Sequence, residues 1–289
     1  MSAVSNMPNR PNLTRPTVLV FAGLDPSGGA GLTADVLAIA ALGAHALPVA
    51  TAITVQDNDH VYAVTPLDAA LVEAQAMALI RKMQVHAVKL GIPGSAANAA
   101  AIARVITVLR ERYPALPVVL DPVLASGHGD GLSPPAALDL LLPLASLLTP
   151  NLPEAAALAR VAGGVEAQGA ALRRRCRGDV LITGGHAAAG DGQAGNQIVN
   201  RWFGPGGERS WQWPRLAGSF HGSGCTLAAA IASRLACGDA MAAALHTAQR
   251  YTHAALVESF SIACGQRIPA RVLRTAQPAL MFSHMEQFA

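Results

Sequence analysis

The sequence predicts an α/β protein with a mainly parallel central sheet covered by helices on both faces. Two observations predict it. Short apolar runs alternate with longer stretches of helical spacing through most of the 289 residues, and those runs are continuously apolar rather than alternating. Strands of that kind are buried on both faces, which helices on both sides of a sheet supply. The composition agrees, with 52% hydrophobic and 13% charged residues, where about 25% charged is usual.

Residues 1–16 hold three prolines and two arginines with no apolar segment, and are expected to form a disordered tail rather than a secretory signal. Thr17–Ala22 is the first strand, followed by the glycine-rich loop Gly23–Gly31 and a helix over about 33–42. Ala46–Ile53 is the second strand. The polar stretch Thr54–Pro66 suits a lid or small side element, and 67–83 a helix. Ala87–Leu90 is a strand, Ala96–Arg112 a helix and Pro117–Leu120 a strand. Leu147–Leu148 leads into a helix over 153–162, where Asn151 and Pro153 are suited to a helix start. Asp179–Ile182 is a strand, 197–203 and 209–213 read as an antiparallel hairpin, and two helices over 222–236 and 240–258 follow. No repeat or linker divides the chain, so one domain is expected.

Several function classes are excluded. The uncharged run Val36–Gln56 is broken by Gly43, His45 and Pro48, so no membrane span is expected. The net charge is only +3. The one dense basic run, Arg173–Arg175 with Arg177, has no interleaved aromatics, so no nucleic-acid partner is expected. The four cysteines show no paired or metal-ligand spacing, which predicts a reducing, cytoplasmic setting.

Four motifs at predicted strand ends carry the chemistry. His221-Gly222-Ser223-Gly224-Cys225-Thr226 opens an Ala-rich helix. Its glycines let backbone N–H groups converge, and the helix N-terminus favours an anion there. Cys225 in that positive field is expected to tend towards thiolate, although a glycine cap with an inert thiol fits equally. The loop Gly23–Gly31, with Asp35 one turn further on, allows a ligand close to the backbone but is neither a P-loop nor a GxGxxG fingerprint. Asp121 after one strand, and Asn151 with Glu154 after another, could hold Mg²⁺ through hard oxygens, or cap a helix, or both. Thr183-Gly184-Gly185-His186 adds a glycine turn. Together these point to a phosphate-handling site built without a P-loop.

These residues give the chain a family resemblance. GLDPSGGAG (Gly23–Gly31), Asp35, TAITVQ (Thr51–Gln56), KLG (Lys89–Gly91), DPV (Asp121–Val123), TPNLPEA (Thr149–Ala155), GGH (Gly184–His186) and HGSGCT (His221–Thr226) occur in the order seen in one family. The chain resembles the hydroxymethylpyrimidine/phosphomethylpyrimidine kinases of thiamine biosynthesis, within the ribokinase-like superfamily. Most ribokinase-like enzymes carry Asp where Cys225 stands.

The resemblance implies a ribokinase-like three-layer α/β/α domain over 17–265, leaving 266–289 as an extension without a family pattern. It implies ATP-dependent phosphorylation of the hydroxymethyl group of 4-amino-5-hydroxymethyl-2-methylpyrimidine, and then of its monophosphate. Gly222, Ser223 and Gly224 would form the anion hole, with Cys225 as the base. Gly23, Asp35, Thr54 and Gln56 would contact the aminopyrimidine. Asn151, Thr183 and Gly185 would meet the nucleotide, and Asp121 and Glu154 would organise Mg²⁺. ATP's base would lie against the helices after Gly224. Three positions depart from the family's habit. Thr183 stands where a lysine is usual, the loop Leu124–Asp130 carries no lysine, and Ile92 replaces a frequent methionine. The alternatives are a pyridoxal kinase and, because of Thr183, a pyrimidine-binding protein with little turnover. The sparse surface charge predicts a homodimer that buries an apolar helical face.

Overall fold

The computed structural model describes residues 14–125, 132–133, 135–185 and 196–272. Among these, one sheet holds nine strands: β1 (Thr17–Leu24), β2 (His45–Gln56), β3 (Val61–Pro66), β4 (Ala87–Leu90), β5 (Val118–Leu120), β6 (Leu147–Leu148), β7 (Asp179–Ile182), β8 (Gln197–Gly204) and β9 (Gly207–Pro214). Their spatial order is β3-β2-β1-β4-β5-β6-β7-β8-β9. The strands from β2 to β7 pair in parallel. Antiparallel β3 and the β8–β9 hairpin form the two edges.

The continuous apolar strands bury both faces, as expected. Leu19 and Phe21 of β1 enter one core, whereas Val18, Val20 and Ala22 enter the other. The first core is covered by α2 (Ala69–Ile80), α3 (Ala96–Arg112), α4 (Pro135–Leu141), α5 (Leu152–Ala159) and α6 (Val165–Arg175). The second is covered by α1 (Gly31–Ala41), α7 (Ser223–Ala236) and α8 (Met241–Val257). Alanines at 228, 229, 230 and 232 are all fully buried, so α7 packs its backbone close against the sheet. This is the three-layer arrangement.

The structure departs from the sequence expectation in four places. Helices α4 and α6 lie outside the sequence expectation, although Ser133 before α4, Pro135 opening it and Glu166 in the first turn of α6 are helix-start signals. Thr54–Pro66 is not a separate side element: β2 continues to Gln56 and turns into β3. The exposed apolar residues also do not stripe a helix. They are single on each helix, as with Leu37, Leu71 and Val108, and gather instead at the β1–β2 end, where Leu24, Ile53 and Val55 are 39%, 41% and 58% exposed. Finally, 266–271 is not a free extension but pairs with residues before α7 and after α8. Among the described residues no helix is long and apolar enough to cross a membrane.

Candidate active site

From β1 the chain builds outward through β2 in one direction and, later, through β4 to β7 in the other. Ligands in such sheets bind at the carboxyl ends of the strands beside the reversal. The motif residues stand there: Asp25 after β1, Lys89 and Gly91 at the end of β4, Asp121 after β5, Asn151 after β6 and Thr183 after β7. With the start of α7 they line one cavity of about 510 Å³.

At its centre is Gly222, which caps α7 in the left-handed region with φ +80°. A Cβ at this position would lie 2.0 Å from the Gly29 carbonyl oxygen, so the two glycine loops touch. The first intrahelical bond runs from the Thr226 N–H to the Gly222 carbonyl. The amides of Ser223, Gly224 and Cys225 precede it and have no acceptor within the helix. Three free N–H groups at a helix N-terminus make a site for an anion.

Beneath this nest lies a cluster of charge. Lys89 and Asp35 are both fully buried, and the Lys89 Nζ donates to Asp35 Oδ2 at 2.9 Å. Burial alone would strip the Lys89 charge, but Asp35, Cys225 and Asp121 outweigh it and hold the ammonium ionised. Asp35 does not line the cavity. Its Oδ2 is taken by Lys89, which it holds at the cavity floor, while its Oδ1 is buried without a hydrogen-bond partner.

The thiolate expectation is corrected as well. Burial pushes the Cys225 thiol up to about 12; Lys89 pulls it down, while Asp121 and Asp35 push it further up. Burial is the main cause, so the resting thiol keeps its proton.

Asp121 is raised to about 6, by burial first and by Asp35 in addition. Glu154 is raised to about 8, by burial first and then by Asp121. Glu154 completes the capping box of α5: its Oε2 accepts from the Asn151 N–H at 2.9 Å, and the Glu154 N–H donates to Asn151 Oδ1 at 2.9 Å. Among the described residues no three His, Cys, Asp or Glu converge as a closed metal site. Asp121 Oδ2 is nevertheless buried without a hydrogen-bond partner. Two strained carboxyls, one with an unused oxygen, fit a Mg²⁺ that takes its remaining ligands from phosphates and water.

One end of the cavity suits a small polar ring. Gly23, Thr54, Gln56 and Ile92 line it, and a Cβ at Gly23 would meet Ile92 Cδ1 at 2.6 Å. Thr54 Oγ1 donates to the Leu24 carbonyl at 2.9 Å. Gln56 Nε2 lies 3.3 Å from His221 Nε2, which in turn lies 2.8 Å from Asp25 Oδ2. The same Asp25 accepts the Ser27 and Ala30 amides at 2.8 and 2.7 Å. Burial raises its carboxyl, but the bonds from His221 and Ser27 outweigh that and leave it below the usual range.

The other end is longer and partly aromatic. The Thr183 N–H donates to the Pro150 carbonyl at 2.9 Å, which ties the ends of β6 and β7 together. Gly184 N–H donates to Asn200 Oδ1 at 3.0 Å, Asn200 Nδ2 to Gln249 Oε1 at 2.8 Å, and Trp213 Nε1 to the same oxygen at 3.1 Å. The Trp213 and His253 rings lie 5.4 Å apart. Asn151, Thr183 and Gly185 all border this end.

The structure thus gathers every sequence candidate except Asp35 around one cavity. Sequence reasoning passed over Lys89, Asp25 and His221 although they sit inside the quoted motifs. It had no signal for Asn200, Trp213, Gln249 or Arg271, which only tertiary folding brings together. His186, most of the Leu124–Asp130 loop, residues 1–13 of the tail and 273–289 lie outside the described residues.

Residues 25–269 match the sequence model of a family described as phosphomethylpyrimidine kinase. A hydroxymethylpyrimidine/phosphomethylpyrimidine kinase of Streptomyces coelicolor is 36% identical over 265 residues, covering 88% of this chain and 94% of that one. The crystal structure of a phosphomethylpyrimidine kinase from Clostridium difficile superposes with a TM-score of 0.69 at 30% identity, over 83% of this chain and 99% of that one. A pyridoxal kinase from Staphylococcus aureus in complex with AMP-PCP and pyridoxal gives 0.75 at 26% identity, over 90% and 94%.

Proposed function

Because the chain belongs to the phosphomethylpyrimidine kinase family, we propose that it transfers the γ-phosphoryl group of ATP to the hydroxymethyl group of 4-amino-5-hydroxymethyl-2-methylpyrimidine, and then phosphorylates the monophosphate, in thiamine biosynthesis. The observation that carries this reading is that the Gly222–Cys225 nest shares one cavity with the Gln56–His221 pair and with the Asn200–Gln249–Trp213 cluster. A phosphoryl group crossing from one ligand to the other would find its anion site at that nest.

Phosphoryl transfer asks mainly for positioning and charge stabilisation. The ring would sit between Ile92 and the Gly23 backbone, with the Gln56 amide and Thr54 reading its polar edge. The nucleotide would extend from the nest past Asn151, Thr183 and Gly185 to Trp213. The Ser223, Gly224 and Cys225 amides would hold the transferring group, and Lys89 would supply the nearby cation that Thr183 does not. The γ-phosphoryl bond to ADP breaks, a P–O bond to the alcohol forms, and Cys225 takes the alcohol's proton. Asp121 and Glu154 would hold Mg²⁺, which neutralises phosphate charge when bound. Burial is the main reason the resting thiol keeps its proton, and Lys89 is the neighbour that favours the thiolate. The Lys89 ammonium and the free amides would support the sulfur as it takes the alcohol's proton.

Two further features belong to this proposal. A second copy of the chain would cover the Leu24, Ile53 and Val55 patch, giving a homodimer detectable by sedimentation. Four free cysteines suit a reducing cytoplasm.

The test is ADP release from Mg-ATP with the pyrimidine alcohol, its monophosphate and pyridoxal in parallel. The proposal expects turnover with the first two and a kcat loss of about 10²–10⁴-fold in C225A. Turnover with pyridoxal alone would favour the vitamin B6 alcohol, as bound by the Staphylococcus aureus enzyme. Tight pyrimidine binding without ADP release would leave a binding protein, and C225A at wild-type rate would remove the base role.

A further inference from the structure

Arg271 lies two residues beyond the family match, in the segment where the sequence offers no pattern. It is 2% exposed, and a buried guanidinium is costly unless its donors are met. Here they are met by the two glycine loops. Nε donates to Thr226 Oγ1 at 2.9 Å, and Nη2 donates to the Gly29 carbonyl and to the Gly222 carbonyl at 3.4 Å. Its own carbonyl accepts from the Tyr251 hydroxyl at 2.7 Å. The segment leading to it is pinned: the His221 N–H donates to the Arg267 carbonyl, and the Arg267 and Ala270 N–H groups donate to Ser219 and Ala255, each at 2.9 Å.

The consequence follows from peptide geometry. In a trans peptide the N–H points opposite to the C=O, and no cis bond occurs among the described residues. The Gly222 carbonyl accepts from the Thr226 N–H at 3.0 Å, from Thr226 Oγ1 at 2.8 Å and from the guanidinium at 3.4 Å. Arg271, which also holds Thr226 Oγ1, therefore reinforces the direction in which the Ser223 N–H points away from that carbonyl, toward the nest. Drawing in the Gly29 carbonyl likewise turns the Ala30 N–H outward, where it meets Asp25 Oδ2 at 2.7 Å. Asp25 in turn positions His221. One guanidinium nitrogen donates to both carbonyls and so ties the two touching loops together.

We propose that Arg271 is a positioning residue for phosphoryl transfer, whose guanidinium locks the Gly23–Gly31 loop to the Gly222–Cys225 nest so that the anion-binding amides keep one register. The proposal rests on the phosphotransferase reading. It differs from a fold staple in what it disturbs: the transferring group, held only in the transition state, rather than ligands held at the two ends of the cavity.

The experiment compares R271K and R271M with wild type by melting temperature, by KM for ATP and alcohol, and by kcat. Lysine keeps the charge but has no fork to reach Thr226 and Gly29 together. The expected result is folded R271K with kcat down about tenfold or more, R271M down about 10²-fold, and both KM values changed by less than about threefold. Wild-type kcat in R271K overturns the proposal, as does a loss confined to KM. If neither variant folds, Arg271 is a staple and the proposal is overturned too. A wild-type chain that releases no ADP with any alcohol defeats the phosphotransferase reading itself, an outcome distinct from normal turnover in R271K.

Discussion

Glu154→Gln in the cation-free protein isolates one buried carboxyl. Glu154 is 7% exposed, and its carboxyl is raised from an ordinary 4.5 to about 8 by burial and by Asp121. Between those values the folded chain holds a proton that the unfolded chain has released. Stability on that account is greatest at low pH and falls as pH rises, flattening above about 8. One proton corresponds to about 1.4 kcal/mol per pH unit. Across pH 6.5–7.5, where Asp121 with its value near 6 is already mostly ionised, the wild type should lose about 1 kcal/mol. Glutamine imitates the protonated acid at every pH, with its oxygen on the Asn151 N–H, so its share of the slope should vanish. Urea unfolding in EDTA, followed by tryptophan fluorescence at pH 6.5, 7.0 and 7.5, reads the difference. Identical pH slopes in the two proteins would refute a neutral Glu154, and with it the argument that a cation is needed to discharge this corner.

Three other outcomes are expected. Gly222→Ala places a Cβ 2.0 Å from the Gly29 carbonyl oxygen at a φ of +80°, so the loops must part; kcat should fall about 10²-fold while calorimetry finds pyrimidine affinity nearly unchanged. Lys89→Met strands the buried Asp35 carboxylate and should cost about 3–5 kcal/mol in denaturant unfolding, much of it recovered in the K89M/D35N double variant; simple addition of the two single effects would mean the pair is not coupled. The Cys225 thiol, with its value near 12, should be alkylated by iodoacetamide at pH 7.5 more slowly than exposed Cys264, as peptide mass mapping would show; faster labelling of Cys225 would restore the resting thiolate.

Legibility in the sequence followed the range of the interaction. The β1 core and the Asp179–Ile182 strand were readable because burial on both faces leaves a continuous apolar run. The Asn151–Glu154 capping box was readable because its partners are three residues apart. Gly222–Cys225 was readable as an anion site because its glycines and the helix start lie side by side in the chain, although a plain glycine cap reads the same until the other strand-end motifs are set beside it. The Asp35–Lys89 pair is illegible for the opposite reason: the two residues are 54 apart in the chain, and no local pattern shows that an acid after a glycine loop meets a buried lysine. The same distance hid Arg271, whose acceptors Gly29 and Gly222 belong to two other parts of the chain. The Cys225 proton was misjudged because the helix terminus is local and legible, whereas burial, Asp121 and Asp35 reach the thiol only through the fold.

That misjudgement explains why a thiol suits position 225. Asp35, Asp121 and Glu154 already crowd the cluster around it, balanced by Lys89 and Arg271, and the last two acids relieve their repulsion by holding protons more tightly. A fourth carboxyl there would meet the same repulsion near neutral pH and would either compete for those protons or push the loops apart. A thiol begins from a higher ordinary value and stays neutral in the resting site without strain. Burial is the chief cause of the raised thiol, so the empty cavity presents a protonated sulfur rather than a reactive thiolate.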